Sequence, residues 1–282
     1  MTFAASASRF LQFIRFSHTV FAMPFALGAL VVAADGVPPW HILALVIVAM
    51  VFARTAAMTF NRLADWKLDQ RNPRTAGRHQ LASRRSAAAV CVLASIAFIA
   101  TCWWINPLCF FLSPVALAAV FFYSFTKRFT HFAQFFLGLA LAVAPVGAWL
   151  AATGSFAWPP IILAASVVCW VAGFDMIYAT QDHEVDRAER LRSMVVWLGI
   201  PMALRVAQIL HGLMWILLIG FGLSAGLGGV YFFSLLPMLG FLVYEHRVAK
   251  SLDVNAINAA FFVSNAWIGV IFVVATWIDR IV

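Results

Sequence analysis

The sequence predicts an all-α membrane protein whose chain crosses the bilayer several times. Of its 282 residues, 64% are hydrophobic and only 11% are charged, and the mean hydropathy is +0.93. These values exclude an ordinary water-soluble domain, in which about 25% of residues are charged. Apolar runs of about 20 residues, the length that a helix needs to cross a bilayer, recur along the whole chain.

Nine such runs predict nine transmembrane helices. They cover residues 17–34, 38–60, 87–105, 108–124, 132–152, 159–178, 199–220, 227–244 and 258–279. The first run follows two arginines, as a secretory signal does, but it is too long for one and contains Pro24, so we interpret it as a retained helix. The loops are too short for a separate domain, and we therefore expect a single domain over residues 1–282.

Basic residues alternate between loops in a way that predicts the orientation of the chain. They occupy the loops after the second, fourth, sixth and eighth runs, at Arg62, Lys67, Arg71, Arg74, Arg78, Arg84, Arg85, Lys127, Arg128, Arg187, Arg190, Arg192, Arg247 and Lys250. Because Lys and Arg accumulate in cytoplasmic loops, we expect these loops and the N-terminus on the cytoplasmic side of a bacterial inner membrane. The net charge of +8 is then a topology signal, and no nucleic-acid partner is expected.

The stretch NRLADWKLDQRNPRTAGR, residues 61–78, places two carboxylates and five cations directly after an apolar run. Spacing of four puts Asn61, Asp65 and Asp69 on one helix face. Like charges at this spacing destabilise a helix by about 0.2–0.5 kcal/mol, which indicates a compensating ligand. Mg²⁺ prefers oxygen ligands and is usually shared between one or two carboxylates and substrate phosphates.

A second stretch, DMIYATQDHEVDRAERLRS, begins at Asp175 and repeats the pattern. Tyr178, Asp182 and Asp186 have the same spacing of four, shifted by 117 residues from the first triplet. We expect them on one face of a helix that continues out of the membrane. The repeat predicts two facing acidic sets that hold Mg²⁺ ions around a diphosphate.

Several cations extend this interpretation. Arg74 and Arg78, and also Lys127 and Arg128, are candidates to bind the diphosphate, because Arg in particular matches phosphate geometry. Arg54 lies inside the second run, and an ionisable group at membrane depth is by default functional. The alternatives are cytoplasmic anchors for Lys127 and Arg128, and an internal ion pair for Arg54.

A magnesium diphosphate site among apolar helices favours a lipid diphosphate as substrate. The 27 Phe and 11 Trp residues provide aromatic faces that would stabilise an allylic carbocation, although the sequence does not single out any one of them. The alternative functions are a cation transporter, in which intramembrane carboxylates relay ions, and a non-catalytic scaffold.

Three motifs resemble the UbiA superfamily of intramembrane prenyltransferases. RTAAMTFNRLADWKLDQRNPRTAGR is similar to its first signature, of the type NxxxDxxxD after an intramembrane arginine, and DMIYATQDHEVDRAERLRS is similar to its second. YSFTKRFTHFAQFFLG, residues 123–138, resembles the YxFxKRxT segment of the 4-hydroxybenzoate polyprenyltransferase branch. Arg62 stands where many members have Asp.

The resemblance implies a Mg²⁺-dependent transfer of a polyprenyl group from its diphosphate to an aromatic ring carbon. By the matching positions, the metal-binding residues would be Asn61, Asp65, Asp69, Asp182 and Asp186, and the diphosphate-binding residues Arg74, Arg78, Lys127, Arg128 and Arg192. Asp175 and Tyr178 would lie deeper, near the reacting ends, and either Arg54 or Arg15 would hold the carboxylate of the acceptor.

Two acceptors remain open. The Lys127 segment favours 4-hydroxybenzoate, the ubiquinone precursor. SHTVFAMPFA near the start of the chain and VYEHR at residues 243–247 also resemble UbiA-like proteins of the futalosine route to menaquinone, whose acceptor would be 1,4-dihydroxy-6-naphthoate.

Overall fold

The protein is described by a computed structural model that covers residues 19–71, 75, 77 and 81–282. This part of the chain is helical and contains no β-strand. The helices are α1 (Thr19–Ala33), α2 (Trp40–Ala64), α3 (Trp66–Arg71), α4 (Arg84–Ile105), α5 (Pro107–Thr126), α6 (Ala133–Thr153), α7 (Trp158–Ala179), α8 (His183–Ala188), α9 (Met194–Leu198), α10 (Ile200–Ser224), α11 (Gly229–Ala249) and α12 (Val254–Ile281). A 3₁₀ turn, Thr180–Asp182, joins α7 to α8.

The predicted all-α membrane fold is confirmed, because each of the predicted apolar runs coincides with a helix. Within the described residues, seven helices are long and apolar enough to cross a membrane: α2, α4, α5, α6, α7 with its continuation to Ala188, α10 and α12. The apolar part of α1 is shorter, and α11 is not among the seven. The predicted count of nine crossings is therefore not confirmed.

The helices group into two compact units. The first contains Ala44–Phe125, hence most of α2 together with α3, α4 and α5. Its core uses small side chains, with Ala56 of α2 packed among Ala94 of α4 and Leu117 of α5. Near the end of α2, the Phe60 ring stacks on Phe121 with centroids 4.2 Å apart. These contacts hold the end of α2, which carries the first acidic set, against α5.

The second unit contains Val20–Leu43 and Thr126–Val282 and is built around α7. This helix packs against α6, α10 and α12, and its Trp170 is fully buried. Phe25 of α1 lies against Trp170 and against Phe272 of α12, with ring centroids 4.8 and 4.6 Å apart. A helix that is apolar all round, as α7 is, is expected at the centre of such a bundle. Its C-terminal end carries the second acidic set.

Candidate active site

The first acidic set lies where α2 passes into α3. The backbone N–H of Asp65 donates to the carbonyl of Asn61 at 2.9 Å, and that of Asp69 donates to the carbonyl of Asp65 at 2.8 Å. These are helical i to i−4 bonds, and they continue through the junction between the two helices. Asn61, Asp65 and Asp69 therefore follow one another at successive turns, as their spacing predicts.

The side chain of Asn61 links this set to α5. Its Nδ2 donates to Asp65 Oδ2 at 3.3 Å and to Ser124 Oγ at 3.4 Å. The amide thus orients the carboxylate one turn away and is itself held by a neighbouring helix. Spacing predicts the contact between Asn61 and Asp65, but nothing in the sequence indicates Ser124, because packing of α5 on α2 brings it there.

Arg62 lies beside this set, and its contact with Asp69 was not predicted from the sequence. It is only 5% exposed, and its Nη1 lies 3.4 Å from Asp69 Oδ2. A buried guanidinium against a carboxylate offsets part of the repulsion between the aspartates. The signal was available in the sequence, since residues seven apart share a helix face.

The remaining cations predicted for this half are only partly covered by the structure. Arg54 is half-buried on α2, ten residues before the helix ends at Ala64, which is about 15 Å along the axis. Arg74 and Arg78 lie outside the described residues, as does Arg15. Thr75, which lies between Arg74 and Arg78 in the sequence, is buried, and its hydroxyl donates to the carbonyl of Asp69 at 2.9 Å.

The second acidic set follows α7 across an interrupted helix. Asp175 and Tyr178 are half-buried on α7, Asp182 ends the 3₁₀ turn, and Asp186 lies on α8. The predicted helix continues beyond α7 to Ala188, but it is interrupted by the 3₁₀ turn, which has about 3.0 residues per turn where an α-helix has 3.6. At this turn the Thr180 hydroxyl donates to the carbonyl of Ile177 at 2.7 Å.

Both aspartates beyond α7 are shielded from solvent. Asp182 is 8% and Asp186 is 4% exposed. Lys127, at the start of the α5–α6 connection, brings its Nζ to 3.6 Å from Asp186 Oδ2, and its side chain remains 40% exposed. A predicted phosphate-binding cation thus lies against a predicted metal ligand, while the neighbouring Arg128 is exposed.

Arg192 holds the segment that carries Lys127. Its backbone N–H donates to the carbonyl of Lys127 at 2.7 Å, and its Nη1 donates to the carbonyl of Phe129, also at 2.7 Å. One residue therefore ties the loop after α8 to the loop after α5 at two points. The sequence resemblance implied a diphosphate-binding role for Arg192 and gave no sign of these loop contacts.

One aromatic group lies beside the deeper residues of the second set. The ring of Phe261 on α12 is 5.0 Å from that of Tyr178 and 5.2 Å from that of Phe174. The sequence could not select it among so many aromatic residues, because only the packing of α12 on α7 brings it to this end of the unit.

The chemistry of the donors fits a hard divalent cation. The first set offers carboxylate and amide oxygens and the second set offers carboxylate oxygens, and Mg²⁺ prefers oxygen ligands of these kinds. Among the described residues, no three His, Cys, Asp or Glu side chains come together as a ready-made metal site. Mg²⁺ is usually held by one or two carboxylates that share the ion with substrate phosphates.

Comparison with known proteins identifies the family. Residues 22–266 match the model of the UbiA prenyltransferase family. The chain belongs to this family. The resemblance carried by the three motifs is thereby confirmed, and the protein is a UbiA-family prenyltransferase embedded in a membrane.

Curated relatives are similar over most of their length. A 4-hydroxybenzoate octaprenyltransferase of Aliivibrio fischeri (strain MJ11) is 33% identical over 260 residues, which cover 88% of this chain and 87% of the relative. A protein of the same name from Hydrogenovibrio crunogenus is 32% identical over 263 residues, covering 91% of this chain and 90% of the relative.

Solved structures share the fold. The apo structure of a UbiA homolog from Aeropyrum pernix K1 superimposes with a TM-score of 0.83 at 28% identity, covering 93% of this chain and 98% of the other. A UbiA homolog from Archaeoglobus fulgidus bound to GPP and Mg²⁺ gives a TM-score of 0.74 at 19% identity, covering 97% of this chain and all of the other. The second likeness shows the fold alone.

Proposed function

We propose that the protein transfers a polyprenyl group from its diphosphate to a ring carbon of an aromatic carboxylic acid, with Mg²⁺ and with release of diphosphate. The observation that carries the proposal is the second acidic set, in which two shielded aspartates lie at the end of a membrane-embedded helix beside the cation Lys127. The 4-hydroxybenzoate octaprenyltransferases at about one-third identity support the class of acceptor.

Both acidic sets are proposed to bind the magnesium diphosphate. Asn61, Asp65 and Asp69 would hold the metal in the first, and Asp182 and Asp186 in the second, with oxygen donors throughout. Mg²⁺, when bound, neutralises the charge that develops on the leaving group. A homolog with this fold, from Archaeoglobus fulgidus, is bound to GPP and Mg²⁺, which supports a magnesium prenyl diphosphate as the ligand.

Five cations are proposed to stabilise the leaving diphosphate: Arg74, Arg78, Lys127, Arg128 and Arg192. A positive charge at the phosphate oxygens stabilises the transition state more than the ground state, because negative charge accumulates there as the bond breaks. Lys127 is the best supported, since its ion pair with Asp186 keeps it beside a proposed metal ligand. Arg192 would act chiefly through its hold on the Lys127 loop.

In the proposed reaction, the bond between the allylic carbon and the diphosphate oxygen breaks, and the ring carbon next to the phenol hydroxyl forms the new bond to carbon. The ring then loses a proton, which restores aromaticity, and diphosphate or Asp175 accepts it. Tyr178 and its neighbour Phe261 would stabilise the allylic cation with their aromatic faces. Arg54 is proposed to bind the acceptor carboxylate.

A second acceptor, 1,4-dihydroxy-6-naphthoate, is retained because of the VYEHR segment. Its Glu245 and His246 belong to a buried polar cluster in the second unit, so this segment is not an ordinary solvated helix end.

The transporter and scaffold alternatives lose their support, because the family match covers residues 22–266 and describes an enzyme. We propose the bacterial inner membrane as its location, with the N-terminus and the active site cytoplasmic.

The test is prenyl transfer in membranes supplied with Mg²⁺, a labelled polyprenyl diphosphate and either acceptor, with Asp65→Ala and Asp182→Ala run alongside. We expect product from one acceptor, and loss of product in both variants and on chelation. If the well-folded protein leaves the diphosphate intact with both acceptors, the proposed reaction is wrong.

A further inference from the structure

A buried polar cluster in the second unit contains no residue that takes a direct part in the reaction proposed above. Glu245 near the end of α11 is 1% exposed, Asn265 on α12 is fully buried, and His211 on α10 is 2% exposed. Ionisable groups within apolar helices are costly and rarely lack a role. The cluster therefore needs a physical account of its own.

Asn265 connects Glu245 to the backbone of its own helix. Its Nδ2 donates to Glu245 Oε1 at 3.1 Å and to the carbonyl of Phe261 at 2.8 Å. Two polar atoms of this pair, Glu245 Oε2 and Asn265 Oδ1, are buried and have no hydrogen-bond partner among the described residues. Leaving such atoms unsatisfied in an apolar interior is unfavourable.

The protonation state of Glu245 decides whether these atoms can be satisfied. An ionised carboxylate only accepts, so Oε2 and the amide oxygen would both be acceptors without a donor. A carboxylic acid carries one O–H donor, and an amide offers an N–H and an oxygen side by side. We propose that Glu245 is an uncharged acid that pairs with Asn265 at two points, donating its proton to Asn265 Oδ1 while accepting from Nδ2.

Glu245 has no positively charged hydrogen-bond partner in the described part of the chain. Among the described residues, none of the Lys, Arg or His side chains forms a hydrogen bond or an ion pair with it. The adjacent His246 instead has its Nε2 2.9 Å from His211 Nδ1, and His211 Nε2 lies 3.1 Å from the carbonyl of Trp170. Because a carbonyl only accepts, His211 donates to it through Nε2, while its Nδ1 is engaged by His246. Lys250 follows His246 by one turn, at the end of α11.

The pair is a positioning element for the active site. Asn265 fixes the backbone of α12 at Phe261, and the Phe261 ring packs on Tyr178 and Phe174. Glu245 and Asn265 touch no reacting group; they set the register at which α12 presents its aromatic ring to α7. This role in catalysis rests on the proposed function, whereas the protonation state of Glu245 does not.

Infrared spectroscopy of the purified protein tests the protonation state. We expect a carbonyl stretching band of a protonated carboxyl at neutral pH that is absent in Glu245→Gln and shifted in Asn265→Leu, because the latter removes the hydrogen-bond partner. Glu184→Gln, at a side chain that is 86% exposed, is the matched control and leaves the band unchanged. A wild-type spectrum without such a band, or a band that persists in Glu245→Gln, overturns the proposal.

Stability and kinetics test the positioning role. Glutamine also offers a donor and an acceptor, so Glu245→Gln keeps the wild-type unfolding temperature and kcat within twofold, whereas Glu245→Leu lowers the unfolding temperature by several degrees. Asn265→Leu lowers kcat about tenfold with little change in the KM for polyprenyl diphosphate. Equal damage from Glu245→Gln and Glu245→Leu contradicts the pairing. Absence of prenyl transfer in the wild type overturns the proposed function alone, since the infrared result stands without it.

Discussion

Replacing Arg192 separates two ways in which an arginine can assist a diphosphate site. The Arg192→Ala variant removes the bond from Nη1 to the carbonyl of Phe129 but keeps the backbone bond to the carbonyl of Lys127. One hydrogen bond of a charged group at an exposed site contributes about 1 kcal/mol. The loop would then hold Lys127 less firmly, and kcat/KM for polyprenyl diphosphate should fall about fivefold.

A double-mutant cycle with Lys127→Met makes this prediction decisive. If Arg192 acts only by holding Lys127, the double variant has the same kcat/KM as Lys127→Met, and the coupling energy equals the whole effect of Arg192→Ala, about 1 kcal/mol. If Arg192 binds the diphosphate directly, the two losses multiply. Multiplicative losses would therefore refute the positioning role.

Arg187, also in the second unit, provides a control for the loss of one positive charge. Arg187→Ala removes an exposed cation of α8 and should leave kcat/KM within about twofold of the wild type. A loss in Arg187→Ala as large as that in Arg192→Ala would mean that general electrostatic attraction, rather than the loop contact, explains the result.

Further predictions concern the ion pair, the helix packing and the helix capping that stabilise the fold. Arg62→Leu should lower the free energy of unfolding by about 1–3 kcal/mol, because it removes the buried cation that lies against the Asp69 carboxylate. Thermal unfolding in detergent measures this, and a variant as stable as the wild type would refute it. Gly138→Ala should destabilise by about 1–3 kcal/mol, since a Cβ there lies 2.7 Å from the carbonyl oxygen of Val168. Gly147→Ala, on the same helix, places its added carbon more than 4 Å from every neighbouring helix that the structure describes and should leave stability unchanged or raise it. Equal losses of stability in the two glycine variants would contradict a close α6–α7 contact at Gly138. Asp279→Ala should lower the free energy of unfolding by about 1–2 kcal/mol. The wild-type carboxylate accepts hydrogen bonds from the backbone N–H groups of Gly228 at 2.6 Å and Tyr231 at 3.1 Å, at the start of α11. Asp279→Asn keeps an acceptor and should retain most of this stability.

The helices were predictable because their signal is local. A run of about 20 apolar residues satisfies its backbone hydrogen bonds within itself, and only a helix does this in a bilayer. The spacing of Asn61, Asp65 and Asp69 was equally informative, since the backbone bonds through the α2–α3 junction preserve the helical repeat. The second triplet has the same spacing, but the chain there passes through the 3₁₀ turn Thr180–Asp182, which periodicity does not predict.

Contacts between helices could not be predicted from the sequence. In the sequence, Glu245 is recognisable as an ionisable residue beside an apolar run. Its partner Asn265 lies on the next helix, and only side-chain packing pairs the two. The same holds for Phe261 beside Tyr178. Arg192 was expected at a phosphate, and its contact with the carbonyl of Phe129 depends on the path of two loops.

The central claim is that both acidic sets bind the magnesium diphosphate, and equilibrium binding of an unreactive thio-analogue of polyprenyl diphosphate tests it most directly. The purified protein should bind the analogue with Mg²⁺ and release it on chelation, and Asp65→Asn and Asp182→Asn should each weaken binding by about tenfold or more. Glu184→Gln, at an exposed side chain, should bind as the wild type does. Binding that survives chelation, or that either aspartate variant leaves unchanged, would contradict the account.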